Sequence, residues 1–295
     1  LVGSEMCIRD SYKTYLDTER LVGDILSRRI KHDIRIVIVD NASPNESFEY
    51  LNNALKNLDQ IEIIQSSCNA GFAKGNNVGL RLLKKYSPSF ALVLNNDVHF
   101  DVEILDHLVE MYSKLNSPGI ISPLQKLPEN KSLEAYKWTC NTFWDDFLST
   151  CGIMRFFYNK SFIPEVNAGE NRVQCVDFIP GCFIFIDYNL FESIGFFDES
   201  TFLFCEERLL FKQMQKKNRQ NYFILDCFYV HEHSKTINNE VSLLKQKRLL
   251  LEKYRIFTQK YRRFPQLKVF LLKFAFIIYS IKTRLKFVFG SLFNL

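Results

Sequence analysis

The sequence lacks features that mark several classes of protein. Its eight cysteines include no CxxC pair and no regular spacing. That argues against a zinc ribbon or a disulfide framework and favours reduced thiols in a cytosolic setting. Residues 1–11 contain no apolar run of the kind a secretory signal peptide has. The glycine-rich stretch at residues 68–79 matches neither a GxGxxG fingerprint nor a phosphate loop with GK followed by Ser or Thr.

The composition is that of a folded protein with a large core. Hydrophobic residues make up 47% of the 295 residues and aromatic residues 15%, with 28 Phe, which argues against low-complexity disorder. This length holds one large α/β domain and an appendage. The net charge of +5, concentrated after Lys212, suits an anionic substrate or membrane surface without requiring nucleic acid.

Strand and helix patterns alternate along the first half of the chain. Ile34–Val39 and Phe90–Leu94 are continuous apolar runs, as expected of strands buried on both faces. Amphipathic helical patterns separate them, with apolar residues recurring at helical spacing. This alternation predicts an α/β fold with a mostly parallel sheet, flanked by helices and joined by right-handed crossovers. Residues 125–175 lose the rhythm and predict an insertion of loops and short strands.

The first eleven residues, LVGSEMCIRDS, show neither a helical nor a strand period. They resemble vector- or adaptor-derived translation, and the alternative is a disordered tail. We therefore predict that residues 1–11 are a non-native or disordered start. A doubly wound fold should open with a buried strand, so the sequence also predicts that the first strand is missing from a domain at residues 12–236.

Residues 237–295 predict a basic, amphipathic helical extension. The longest apolar run, Val269–Ile281, is interrupted by Lys273 and is shorter than the roughly 20 residues that span a bilayer. A basic, Phe-rich helix of this kind is typical of segments that lie in the plane of an anionic membrane surface. The alternative is a helix packed back onto the domain.

Acidic and amide side chains follow both apolar strands. Asp40 and Asn41 end the first, and Asn95, Asn96 and Asp97 end the second. A carboxylate at a strand end can bind a divalent metal, and amides beside it can bind a sugar or ribose. Each cluster taken alone is equally explained as a strand-terminating Asx turn.

The stretch CNAGFAKGNNVG lies between the two strands. Gly71 and Gly75 would let the backbone approach a ligand. Asn69 and Asn76 offer paired donors and acceptors, and Lys74 can meet a phosphate. A plain strand-to-helix loop is the alternative interpretation.

Two further clusters come later in the chain. Glu206 and Glu207 begin a predicted helix, where the helix dipole favours carboxylates and where one could act as a general base. His231 and His233 follow a predicted strand and could bind a metal or a diphosphate, although isolated histidines are commonly structural.

The order of these motifs is more specific than any one of them. VDNAS, NAGFAKGNNVG, LNNDV, PGCFIFI, IGFFDESTFLFCEE and HEHSKT, in that order, resemble the family 2 glycosyltransferases, most closely the bacterial rhamnosyltransferase-like branch that builds surface polysaccharides. The resemblance covers roughly residues 12–236. It implies a GT-A fold, a nucleotide-sugar donor, Mg²⁺ or Mn²⁺, a glycan or lipid-linked acceptor, and inversion at the anomeric carbon.

The resemblance also assigns roles to residues. Asp40 would contact the nucleotide, Asp97 the metal, and His231 or His233 would lie near the diphosphate. Glu207 would act as the base with Glu206 beside it. The family's DXD-type motif is here NND, and its Glu-Asp base motif is here Glu-Glu, which leaves the choice between the two glutamates open.

The sequence therefore predicts an inverting, metal-dependent glycosyltransferase at the cytoplasmic face of the cell membrane. Two other classes stay open. A nucleotidyltransferase on a similar sheet should open with a basic, Gly-rich loop, and none is visible in the sequence. A non-catalytic, membrane-associated scaffold should bind no nucleoside diphosphate.

Overall fold

The computed structural model describes residues 4–9, 14–28, 31–126, 142–152, 172–203, 205–232 and 243–292, with backbone alone at 4–9, 243–246 and 284–292. The strands in this part are β1 (Ser4–Arg9), β2 (Ile36–Asp40), β3 (Ile61–Gln65), β4 (Phe90–Leu94), β5 (Val98–Phe100), β6 (Pro118–Lys126), β7 (Val173–Val176), β8 (Phe183–Asp187) and β9 (Gln220–His231). The helices are α1 (Tyr15–Ser27), α2 (Ser47–Leu55), α3 (Phe72–Leu83), α4 (Ile104–Lys114), α5 (Phe143–Cys151), α6 (Tyr188–Ser193), α7 (Glu206–Lys216), α8 (Leu243–Tyr261) and α9 (Pro265–Leu292), with a 3-10 turn at Lys84–Tyr86.

The strands form one sheet in the order β3-β2-β1-β4-β8-β6-β9-β5, with β7 paired to β9. The half from β3 to β4 is parallel, as the alternation of strands and helices predicted. Beyond β4 the sheet is mixed, because β8 runs antiparallel to both β4 and β6 and β5 runs antiparallel to β9. The carboxyl ends of the parallel strands share one edge, which is where the predicted site residues lie.

The prediction that the domain's first strand is missing is wrong, and residues 4–9 are not the disordered start predicted for residues 1–11. Ser4–Arg9 forms β1, which pairs in parallel with β2 on one side and with β4 on the other. The physical reason is non-local. Two neighbouring strands offer unpaired backbone N–H and C=O groups on both sides of this position, and an extended segment satisfies them without a local hydrophobic period.

Apolar side chains cover both faces of the sheet. Ile36 and Ile38 of β2 pack in one cluster with residues of α1, α2 and α4. Val37 and Val39, which alternate with them and are equally buried, face the opposite side, where α3 contacts β1 and β2. The sheet is therefore an interior layer between helices, and its site-bearing edge is held from both sides.

The chain forms two compact units, and the second contains α5, α8 and α9. Phe143 of α5 packs in one cluster with Leu251, Tyr254 and Leu272. The predicted domain 12–236 therefore loses α5, which falls in the stretch predicted as loops and short strands, because the apolar face of that helix is buried on the C-terminal helices. No helix among the described residues has the length and hydropathy to cross a membrane.

Candidate active site

Asp40 and Asn41 follow β2 and are held inside the protein. Asp40 is fully buried, and its Oδ1 accepts hydrogen bonds from the Ser43 backbone N–H at 3.0 Å and from Gln65 Nε2 at 3.4 Å. Asn41 Nδ2 donates to Asn69 Oδ1 at 3.2 Å, and its Oδ1 accepts from the Ala70 N–H at 3.2 Å. These two side chains fix the turns after β2 and β3, and that function explains their positions without a ligand.

Gly71, which precedes α3, and Gly75, within its first turn, permit close approach by the protein itself. Gly71 has φ +84°, and a Cβ there would lie 2.1 Å from the carbonyl oxygen of Phe202. The Phe72 N–H donates to the same oxygen at 2.9 Å. A Cβ on Gly75 would lie 3.4 Å from Asn41 Nδ2. Groups of the protein itself thus make the close contacts at these glycines that were predicted for a ligand. The contact with Phe202 connects the loop before α3 to the segment leading into α7.

The two asparagines of α3 have different roles. Asn76, predicted as a donor ligand, is fully buried and donates to the Phe72 carbonyl at 2.9 Å. Asn77, which the sequence analysis did not single out, donates to the Phe197 carbonyl at 2.9 Å and accepts from the Phe197 N–H at 3.0 Å. Asn77 and Arg81 also bond Glu199. Asn77 therefore clamps α3 to the loop before α7, a contact that spans 120 residues.

Lys74 lies on the first turn of α3 and is exposed. The pKa of Glu199 is lowered by its hydrogen bonds from Asn77 and Arg81, and the charge of Lys74 contributes further. The lysine ammonium is therefore close to this loop and open to solvent. That Lys74 meets an anionic ligand stays a prediction.

The two asparagines after β4 differ in their contacts. Asn96 Nδ2 donates to Thr14 Oγ1 at 2.7 Å and to Thr18 Oγ1 at 3.0 Å, so its amide holds the start of α1. Asn95, by contrast, has a buried Oδ1 with no hydrogen-bond partner in the described part of the chain. Its backbone N–H donates to the Cys182 carbonyl at 3.1 Å, which links this turn to residues 180–182.

Asp97 and His231 form a mostly buried pair. His231 Nε2 lies 3.0 Å from Asp97 Oδ1, with 15% and 13% of the two side chains exposed. Burial opposes the charge on the imidazole, but contacts with Asp97 and Cys182 outweigh it and raise the pKa of His231 to about 10. Both side chains are of the kinds that bind divalent metals, and the carboxylate of Asp97 is the harder ligand, which Mg²⁺ and Mn²⁺ prefer.

The free oxygen of Asp97 fits a divalent cation. Its Oδ2 is buried and finds no hydrogen-bond partner among the described residues, as is also true of Asn95 Oδ1. An unpartnered buried carboxylate oxygen is costly, and an oxygen pair of this kind is the donor set that Mg²⁺ and Mn²⁺ prefer. The third predicted ligand, His233, lies outside the described residues.

Glu207 lies beside residues 180–182. A Cβ built on Gly181 would be 3.4 Å from Glu207 Oε1 and 3.3 Å from the Phe72 ring. Glu207 is half-buried, whereas Glu206 is 5% exposed. Both begin α7, where the helix dipole stabilises negative charge. The sequence analysis gave Gly181 no role. The signal that could have identified it is the Pro-Gly-Cys turn before β8.

One chain of contacts therefore joins the predicted base to the predicted metal ligand. Glu207 touches Gly181, Gly181 precedes Cys182, and the Cys182 carbonyl accepts from Asn95, two residues before Asp97. Residues far apart in sequence are brought to one edge of the sheet. Glu207 and the turn that carries Asp97 therefore both neighbour residues 181 and 182.

A three-residue group with metal-ligand chemistry lies elsewhere in the described structure. The ligand atoms of His107, Asp226 and Cys227 are within 4.8 Å of one another. Asp226 already bonds His107 at 3.0 Å and Arg172 at 3.1 Å. Burial raises the pKa of the Cys227 thiol to about 12, so the thiolate that a metal needs is disfavoured. We interpret this group as a salt-bridge cluster.

A cleft of about 550 Å³ lies between the end of α1 and the edge strands β5 and β9. Charged side chains of both signs line it, among them Arg28, Asp101 and Lys126. None of the predicted site residues borders the cleft. It is therefore separate from the edge that carries Asp97 and Glu207.

The family model described as glycosyl transferase family 2 matches residues 11–160, just over half of the chain. The chain belongs to glycosyl transferase family 2. It is 27% identical over 202 residues to the low-salt glycan biosynthesis hexosyltransferase Agl10 of Haloferax volcanii, an alignment that covers 67% of this chain. The chain spans 57% of the length of that relative.

Solved structures of glycosyltransferases share the fold. One is S. aureus TarS 1-349 in complex with UDP-GlcNAc, with a TM-score of 0.57 and 13% identity, covering 91% of this chain and 70% of that one. Another is the mannosyltransferase PcManGT from Pyrobaculum calidifontis in complex with GDP-Man and Mn²⁺, with a TM-score of 0.58 and 11% identity, covering 98% and 76%. At these identities the likeness establishes the fold, which is of the predicted GT-A type.

Proposed function

We propose that this family 2 member transfers a hexosyl unit from a nucleotide-sugar donor to a hydroxyl group of a glycan or lipid-linked acceptor, in the synthesis of a cell-surface polysaccharide. The observation that carries the proposal is the buried oxygen of Asp97 that has no partner in the described chain. Glu207 is partly exposed beside Gly181, and the next residue, Cys182, accepts a hydrogen bond from Asn95. The names of the similar proteins support the hexosyl and nucleotide-sugar parts of the proposal.

Glu207 is the proposed general base. A base must reach the acceptor hydroxyl, and Glu207 is half-exposed beside a residue without a side chain, whereas Glu206 is nearly fully buried. Glu207 would take the proton as the hydroxyl oxygen bonds to the anomeric carbon from the face opposite the departing nucleoside diphosphate, and this single displacement would give inversion. Glu206 and the start of α7 would hold that carboxylate in place.

Asp97, with Asn95 beside it, would hold Mg²⁺ or Mn²⁺, which supplies positive charge against the departing nucleoside diphosphate. His231, whose Nε2 lies 3.0 Å from Asp97 Oδ1, would lie near the same diphosphate. Lys74 is exposed at the first turn of α3 and would meet the donor's phosphates. Asp40, Asn41, Asn69 and Asn76 would act by positioning the loops around the donor.

The resemblance to the rhamnosyltransferase-like branch makes a rhamnosyl donor one candidate within this proposal. A thermal-shift screen of nucleotide sugars, with and without Mn²⁺, tests the proposal. A donor at about 100 times its dissociation constant stabilises the folded state by about 2.7 kcal/mol, roughly 5 °C in a chain of this size. We expect such a shift for at least one donor, only with metal.

Asp97→Asn should abolish the metal-dependent shift. Asp59→Asn is the matched control, because Asp59 is an exposed carboxylate that precedes β3 at the opposite edge of the sheet. No shift with any nucleotide sugar, or an equal shift in the Asp97 variant, would overturn the proposal and favour a non-catalytic scaffold.

A further inference from the structure

Helix α9 presents a stripe of large apolar side chains to solvent. Its six members are 40% to 64% exposed and recur every three or four residues, which places them on one face of a helix. They are Leu267, Phe270, Phe274, Ile277, Ile278 and Ile281. We call this set the α9 stripe. Scattered exposed apolar residues are ordinary on a protein surface, but a contiguous row is typical of an interaction surface.

The opposite face of α9 is the one that holds the helix in its unit. Leu272 and Ala275 are fully buried, and Leu272 packs with Phe143 of α5 and with residues of α8. A Cβ on Gly152, just after α5, would lie 2.6 Å from the Tyr279 ring, so that ring covers the glycine closely. One face of α9 is therefore buried within this unit, and the α9 stripe on the other face is exposed.

The charged residues of α9 itself have a single sign. Residues 265–292 contain no Asp or Glu and five basic residues. Lys273 and Lys282 are both exposed. At about 100° of rotation per residue they project on opposite sides of the stripe. Lysines in such border positions can lay their methylene chains along an apolar surface and reach phosphates with the ammonium group.

We propose that the α9 stripe docks in the plane of an anionic lipid surface, with Lys273 and Lys282 on the lipid phosphates. A lipid bilayer offers both an apolar layer and a negative surface at the depths these groups require. A second copy of the chain fits less well. Pairing two stripes would bring lysine borders together with no acidic residue on either helix to offset them. Docking of this kind is compatible with the cytoplasmic location that the sequence predicts, since the cytoplasmic leaflet carries anionic lipids.

Vesicle sedimentation of the full chain tests the proposal. We expect binding to phosphatidylcholine vesicles that contain phosphatidylglycerol, and much weaker binding to phosphatidylcholine alone. Phe270→Asp/Phe274→Asp should lower partitioning at least about thirtyfold, because two half-exposed rings lose their apolar contact. Lys273→Gln/Lys282→Gln should lower it about 25-fold on the anionic vesicles, since each charge contributes roughly fivefold.

Leu16→Asp/Leu58→Asp is the matched control, because it changes two exposed leucines of the first unit and adds the same charge. It should bind vesicles as the wild type does. Circular dichroism of each variant confirms the fold, and all substituted side chains are exposed. Equal binding to both vesicle types, or undiminished binding by the Asp pair in α9, overturns the proposal. A wild-type dimer that the α9 Asp pair dissociates would assign the stripe to a second copy and also overturn it.

Discussion

Replacing Gly71 by alanine tests the contact between the loop before α3 and the segment before α7. Gly71 has φ +84° and ψ −176°, a region that side chains other than glycine essentially do not occupy. The added Cβ would lie 2.1 Å from the Phe202 carbonyl oxygen, so backbone on one side must move. Because Phe202 comes four residues before Glu206, the movement would reach the start of the helix that carries the proposed base.

The size of the effect follows from two terms. Holding a non-glycine residue in this region costs of order 1–3 kcal/mol. Separating the two segments also weakens the 2.9 Å hydrogen bond from Phe72 N–H to Phe202, with a net contribution of about 1 kcal/mol. We therefore expect Gly71→Ala to lower the free energy of unfolding by about 2–4 kcal/mol, a large part of the roughly 5–15 kcal/mol of a typical domain.

Urea denaturation followed by circular dichroism measures this change. Gly23→Ala is the matched control, because a Cβ on Gly23 of α1 would meet no described atom within 4 Å. Alanine is the better helix former by up to about 1 kcal/mol, so the control should be stabilised. If Gly71→Ala were as stable as the wild type, the contact with Phe202 would not constrain this loop, and the coupling inferred here would be refuted.

Two further predictions separate chemical from structural roles. Gly181→Ala places a methyl group in contact with Glu207 Oε1 and the Phe72 ring. We expect it to lower the transfer rate at least about tenfold while changing the unfolding free energy by less than about 1 kcal/mol. A transfer rate equal to that of the wild type would show that this surface is not next to the acceptor. Asn96→Ala should lose about 1–3 kcal/mol of stability, because Thr14 and Thr18 lose the amide that hydrogen-bonds both, and should keep its affinity for the nucleotide sugar. Asn95→Ala should keep its stability and lose affinity for the nucleotide sugar. Denaturation and nucleotide-sugar titration of both variants measure this, and identical behaviour of the two would contradict the assignment.

The parallel half of the sheet could be predicted from the sequence because its signal is local. Phe90–Leu94 is predicted as a strand with the bounds that β4 has, and the predicted strand Ile34–Val39 overlaps β2. The first strand could not, since Ser4–Arg9 carries no period and is extended because β2 and β4 pair with it. The same holds for α5, whose burial partners come about a hundred residues later in the chain.

The candidate site also has features that could be predicted from local sequence and features that depend on distant residues. That carboxylates and amides end the strands could be predicted, and the structure places them at one edge of the sheet. Which amide positions a loop and which one faces a ligand could not, because the partners are distant in sequence. Asn77 bonds Phe197, and Asn96 bonds Thr14, more than 80 residues away in each case. Only the folded chain shows that Asn95 and Asp97 keep oxygens without partners among the described residues.

The central claim is that Glu207 takes the acceptor proton while Asp97 serves the donor. Glu207→Gln keeps the size and position of the side chain and removes its basicity. The direct measurement is the single-turnover rate of sugar transfer by this variant, with donor binding measured on the same sample. We expect the rate to fall by about 10²–10⁴-fold with donor affinity within about twofold of the wild type. Full activity of Glu207→Gln would contradict the account, and loss of donor affinity with an unchanged rate would contradict it equally.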